Sequence, residues 1–159
     1  MKAITGGIAG AVLWEVCARV AVFAGLRPFD IVQTLGKLAF GEGSSVMYCW
    51  PSGLAMHCLV GSIWAIFYAY FFWSMFNVRP MLQGMLFSLL PAVLAGIVMV
   101  PQLDVMREAM GESGIFAYRM GWLGPLTIVV GHLIYGAVLG GIYIRPVGYK
   151  TGSVVKINV

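Results

Sequence analysis

His57 and His132 are the only two histidines in this chain of 159 residues, and both fall inside long apolar stretches. Two imidazoles on facing helices are a recognised way to ligate a haem iron or hold another cofactor inside a helical bundle. Counted at ~1.5 Å rise per residue, His57 stands about one helical turn and His132 about two turns from the same side of the membrane, so the pair is expected at similar depth. Gly61 and Gly136 follow four residues after each histidine, where the lack of a side chain would leave room for a macrocycle. The plainer use of the same residues is as interhelical glue, each imidazole hydrogen-bonding a neighbouring helix or a headgroup.

The second chemical feature is Glu15 with Arg19 four residues later. Halfway across a membrane helix an ionised carboxylate costs on the order of 2.5–3.5 kcal/mol, and an i, i+4 arginine is the simplest way to offset that cost. Two functional uses stand beside the structural one: a proton-relay carboxylate, or a charged pair presented to another subunit. Gly6 and Gly10 point away from the charged pair on a helical wheel. If the glycine face packs on the bundle, the charged face must meet something other than lipid, and a partner protein is one candidate. If the charged face points inward, Glu15 and Arg19 join the histidines in a polar interior.

These residues are carried by four apolar stretches, 4–26, 53–76, 81–101 and 125–144. Each has the ~20-residue length that spans a bilayer. The chain is 60% hydrophobic and 10% charged, a composition outside the soluble range. The expected fold is all-α: a single transmembrane domain over 1–159, built as a four-helix bundle. Lys2 ahead of the first stretch gives it the look of a secretory signal, but Glu15 and Arg19 do not suit a signal's apolar region. Nucleic-acid binding is excluded, because the net charge of +4 is scattered singly near helix ends and forms no patch. No nucleophile motif, phosphate loop or metal-ligand cluster is present, so no catalytic residue and no metal site is assigned.

Four spans put both termini and the short loop 77–80 on one side, with Lys2, Arg79, Arg145, Lys150 and Lys156 and no acidic residue. The other side carries Arg27, Lys37, Arg107 and Arg119 mixed with Asp30, Glu42, Asp104, Glu108 and Glu112. The positive-inside rule then favours cytoplasmic termini in a bacterial cytoplasmic membrane. In the first long loop, Ile31, Val32, Leu35, Leu38 and Ala39 recur at helical spacing over 28–40, with Asp30, Gln33, Thr34 and Lys37 opposite, which predicts an interfacial amphipathic helix. The second long loop predicts a short separate helix from Leu103 to Met110, closed by Gly111. Phe116, Tyr118 and Trp122, like Tyr48 and Trp50, read as an interfacial aromatic belt. Of the three cysteines, Cys17 and Cys58 read as small apolar residues and Cys49 as a loop thiol to test for reactivity.

Aligned on their histidines, the second and fourth stretches share a stripe: His57, Gly61, Ala65 and Tyr68 against His132, Gly136, Gly140 and Tyr143. Identical offsets on helices running the same way suggest two helical hairpins related as parallel repeats. Close packing in lipid needs small residues. Gly6, Gly10, Gly61, Gly136 and Gly140 are the expected contact points, with Gly84, Ser88, Ala92 and Ala95 on the third helix. Pro91 is expected to kink that helix and open space near mid-membrane.

The opening GGIAGAV, the run GLAMHCLVGSIWAIFYAYFF and the final GHLIYGAVLGGIY resemble small bacterial four-helix inner-membrane proteins of the YagU-like type. The resemblance spans most of the four helices and omits the long loops. It implies a bacterial inner-membrane location, points towards respiratory, oxidase-like complexes, and carries over no established activity and no catalytic residue.

The first functional expectation is a non-catalytic accessory subunit of a larger membrane complex, respiratory or otherwise energy-converting, with other integral membrane subunits and the lipid bilayer as partners. It requires no cofactor. The second is an electron-transfer membrane protein binding haem b or a quinone through His57 and His132. The third is a small oligomeric transporter or proton-conducting protein, with Glu15 as its titrating group and Pro91 as its hinge.

Overall fold

In the computed structural model, residues 1–73, 75, 78–106 and 113–143 are described, and among them every regular element is helical. Four helices are long and apolar enough to cross a membrane: Lys2–Phe23, Val46–Phe72, Pro80–Asp104 and Leu123–Ile142. The elements are α1 (Lys2–Phe23), α2 (Ile31–Phe40), α3 (Val46–Phe67) ending in a π turn (Tyr68–Phe72), α4 (Pro80–Leu94) passing through a second π turn (Ala95–Met99) into α5 (Val100–Met106), a short 3-10 segment (Ile115–Met120) and α6 (Leu123–Ile142). The all-α four-helix architecture is therefore as expected from the hydropathy. The basic residues Arg145, Lys150 and Lys156, the loop residues Asn77, Arg107, Glu108 and Glu112, and the cap at Gly111 lie outside the described residues.

The bundle is a chain of neighbours with one open side. α1 packs between α3 and α6, and α6 packs along α4. Glycines make these approaches close: Gly7 of α1 lies against the Gly61 carbonyl of α3, Gly6 and Gly10 lie against Leu139 and Tyr135 of α6, and Gly136 and Gly140 interlock with Gly84 and Pro80 of α4. All five glycines expected to serve packing do so. A methyl group at Gly136 would meet the Gly84 carbonyl and Ser88, and one at Gly61 would meet the Gly7 carbonyl at 3.1 Å.

α3 and α4, by contrast, meet chiefly through side chains near the end of the bundle that carries the N-terminus. There Phe87, fully buried, receives Trp64, Phe67, Tyr68 and Phe72, with Tyr68 and Phe72 at ring-centroid distances of 5.1 and 5.0 Å. Gln83 closes this floor by donating from Nε2 to the Phe72 carbonyl at 2.7 Å. Tyr68 and Tyr143, the last members of the repeated stripe, meet edge to face at 5.8 Å.

Several loop-side expectations change. The third span does not stop at Pro101 but runs on through the π turn, so Leu103 and Asp104 belong to its buried end and not to a separate loop helix. Inside a π turn carbonyls reach five residues ahead instead of four, which relieves the clash a proline ring makes with the carbonyl four residues back. α2 starts where Asp30 caps it, its carboxylate accepting from Gln33 N at 2.8 Å. It packs on α3 through Val32, Leu35 and Gly36 and also buries Thr34, which the amphipathic pattern had placed outside. Gly36 abuts the Cys49 carbonyl. Cys49 is therefore a buried first-turn residue of α3, not an accessible loop thiol. Tyr48, Tyr118 and Trp122 are exposed as a belt requires, whereas Phe116 turns inward onto Gly96.

Candidate functional site

Trp14, which the sequence pattern did not single out, organises the site. In α1 the buried positions Gly7, Ala11, Trp14 and Ala18 recur at helical spacing and form one face, which places the indole at the centre of the bundle. It lies across the backbone of Gly131, where a methyl group would overlap it. Both histidines pack on this indole: the His57 ring at a centroid distance of 5.0 Å and an angle of 80°, the His132 ring at 4.7 Å and 58°. The structure thus brings the two sequence-predicted histidines together, from α3 and α6, on the indole of α1.

The two imidazoles differ in what they are free to do. His132 Nδ1 is 2.7 Å from the Ile128 carbonyl, one turn earlier on its own helix. Because a carbonyl only accepts, Nδ1 carries the hydrogen, and in the neutral ring Nε2 is left as an acceptor. His57 has no such anchor: its Nδ1 is buried and meets no hydrogen-bond partner among the described residues. A buried polar atom without a partner is uncommon in folded proteins, and with Nδ1 enclosed only the other ring nitrogen of His57 is placed to meet a molecule in the bundle.

Both imidazoles border a cavity of about 340 Å3 with almost entirely apolar walls. α1 and α6 supply its back through Trp14, Ile128 and Tyr135, α3 one flank through Val60, Gly61 and Trp64, and α4 with its π turn the other through Pro91, Leu94 and Val98. The space expected beside Pro91 is thus present, and the π turn Ala95–Met99 continues along it. The Tyr135 hydroxyl is not available to a ligand, because it donates to the Gly61 carbonyl at 2.6 Å and so ties α6 to α3. Above the histidines the cavity is roofed by Phe29, Val100 and Ile128, which with Ala117 behind them form a cluster that joins the α1–α2 link, the 3-10 segment, α5 and α6.

That roof is held by Asp104. Its carboxylate, 1% exposed, accepts from Ser113 N at 2.9 Å and Gly114 N at 3.0 Å. The chain then turns with Phe116 and Ala117 at positive φ (52° and 55°), a conformation that costs energy for residues with a side chain. Ala117 is fully buried and its carbonyl sits against Gly124.

Glu15 and Arg19 form a separate arrangement. Arg19 Nε donates to Glu15 Oε1 at 2.6 Å, and its terminal nitrogen donates to Asp30 Oδ2 at 2.5 Å. Glu15 is 4% exposed. The pair expected at i, i+4 is present, and Asp30 extends it into a bridge between α1 and the cap of α2. Glu15 does not border the histidine cavity. Of the two directions open to the charged face, the inward one is observed, and it meets this chain's own α2 instead of the histidines. Among the described residues no three of His, Cys, Asp and Glu gather as a metal site would require.

Comparison with family models, with curated proteins and with solved structures gives no match.

Proposed function

We propose that this chain is a membrane-embedded binding protein for a lipophilic ring compound of the quinone class, held at His57 and His132. The observation that carries this reading is the pairing of two imidazoles from different helices on one apolar cavity of about 340 Å3. Sites for small lipophilic molecules combine such walls with a few placed polar groups. The hydrogen-bonding roles suit a ring with two oxygens, since His132 Nε2 accepts from a hydroxyl while His57, whose tautomer the protein does not fix, can donate to a carbonyl or accept from a second hydroxyl. The committed acceptor at His132 favours the reduced, hydroxyl-bearing quinol over the quinone.

Haem b is less well served by the same residues. Both imidazoles would have to turn to the iron, and each already packs on the Trp14 indole, at 5.0 and 4.7 Å, with His132 Nδ1 held by the Ile128 carbonyl. The accessory-subunit reading drew on a charged face in need of a partner, and Asp30 now supplies that partner within the chain. The transport reading drew on Glu15, which stands off the cavity.

The test is calorimetric titration of the purified protein with a tail-less benzoquinol and its quinone, repeated with His57→Phe and His132→Phe. Phenylalanine keeps a ring on Trp14 and removes the nitrogens. Each variant is expected to weaken quinol binding by about tenfold, the worth of one buried hydrogen bond of ~1.5 kcal/mol. Absence of saturable binding, affinity unchanged in both variants, or a haem absorption band in the purified protein would overturn the proposal.

A further inference from the structure

The cavity is walled on three sides and open on the fourth. Trp14 and α6 close its back, Trp64 and Tyr135 backed by the Phe87 cluster its floor, and Phe29 and Val100 backed by Ala117 its roof. Between α3 and α4 there is no comparable closure: the two helices touch mainly at the floor, and along the cavity each is backed by a different neighbour, α3 by α1 and α4 by α6.

The residues at this gap have two exposures at once. Val60 of α3 and Leu94, Val98 and Met99 on the α4 side line the cavity and are 36%, 40%, 49% and 44% exposed. A residue that is both wall and surface marks a mouth. This mouth lies within the length of the membrane-spanning helices Val46–Phe72 and Pro80–Asp104, so what it faces is acyl chain and not water. Sequence accounts for the opening: Pro91 and the π turn Ala95–Met99 interrupt the regular ridge of α4 where it would otherwise pack on α3.

We propose that the gap between α3 and α4 is a lateral portal, through which the bound molecule enters from the bilayer and along which its hydrocarbon tail leaves the cavity. This rests on the assignment of a ring-bearing ligand to His57 and His132, and it narrows the ligand to a tailed lipid: a polar ring at the histidines and a single long chain running past Val60 and Val98 into the membrane. The cavity itself has room for a ring and the first few carbons. A long tail has nowhere else to go, since the roof and floor are closed by buried side chains.

The experiment compares a tail-less benzoquinol with its decyl derivative, each titrated against the full chain reconstituted in phosphatidylcholine vesicles. It uses the wild type, Val98→Trp and Val60→Trp at the mouth, and Val20→Trp on the 63% exposed outer face of α1 as control. Both mouth positions face lipid, so the larger side chain has space to fold. Comparing proteins for the same compound removes the partition of the tail into lipid. The expected result is that both compounds bind the wild type, that either mouth variant weakens the decyl compound about tenfold more than it weakens the tail-less compound, and that the control changes neither; equal weakening of the two compounds overturns the portal. If the decyl compound binds both mouth variants as well as wild type, or if the wild type binds only the tail-less compound, the portal is overturned and the histidine site stands. If neither compound binds the wild type, the histidine site falls and the portal with it.

Discussion

Arg19 is the side chain on which the charged cluster depends, because it bridges Glu15 and Asp30. Glu15 is almost fully buried while the Arg19 side chain is 38% exposed, so removing the arginine strands the carboxylate far more than removing the carboxylate strands the arginine. Arg19→Met is therefore expected to lower unfolding stability by about 2 kcal/mol, less than for a wholly buried pair because water already reaches the guanidinium. Glu15→Gln combined with Arg19→Met should recover part of that loss, and a thermal melt of the single and double variants in detergent reads the difference. Residues of this kind are legible in a sequence because charge and imidazole are rare inside apolar runs. Trp14 was not: an indole among valines and alanines looks like any other packing residue, and only its place against Gly131 makes it the meeting point of two histidines. The stripe Gly7, Ala11, Trp14, Ala18 was the signal that could have shown which way it faced.

At the scale of helices, glycine spacing decides which pairs come close. The α4–α6 seam puts backbone on backbone at Gly84, Gly136 and Gly140, which is how helices gain packing energy where lipid removes the hydrophobic drive between them. Gly136→Ala is expected to destabilise by about 1–3 kcal/mol, since the added methyl meets the Gly84 carbonyl with nowhere to move. Gly141→Ala, one residue on, meets only the Met81 side chain at 3.6 Å and should be neutral or stabilising by up to about 1 kcal/mol from helix propensity. Opposite signs from adjacent positions, measured as resistance to denaturant in mixed micelles, would establish the seam, and equal effects would refute it. The glycine stripes foretold these contacts because a repeated small residue has few other uses. The length of the third span was not foretold: the apolar stretch ends at 101, and nothing in a local window announces that a π turn lets the helix continue to Met106.

Across the whole molecule, the cavity exists only because distant segments agree to close it. Its roof unites the α1–α2 link, α5, the 3-10 segment and α6, and no spacing rule connects those four stretches. Asp104 was therefore read as one more loop acid, although it is buried and takes two backbone amides that begin the turn into Ala117. The positive φ of Phe116 and Ala117 stores strain in that turn, so the segment holds its place only while the carboxylate pins its start. Asp104→Ala removes both charge-assisted bonds and should release the roof without unfolding the bundle, because the α1–α6 and α4–α6 seams do not involve it. Asp104→Asn keeps one oxygen able to accept from both amides and should behave close to wild type. Amide hydrogen exchange separates these outcomes: exchange at Ser113, Gly114 and Ala117 is expected to rise at least about tenfold in Asp104→Ala, an opening cheaper by ~1.4 kcal/mol or more, while amides of α1 and α6 keep their protection. Faster exchange throughout would mean that Asp104 supports the fold as a whole, and no change at 113–117 would mean that the roof is held by its apolar contacts with Phe29 and Ile128 alone.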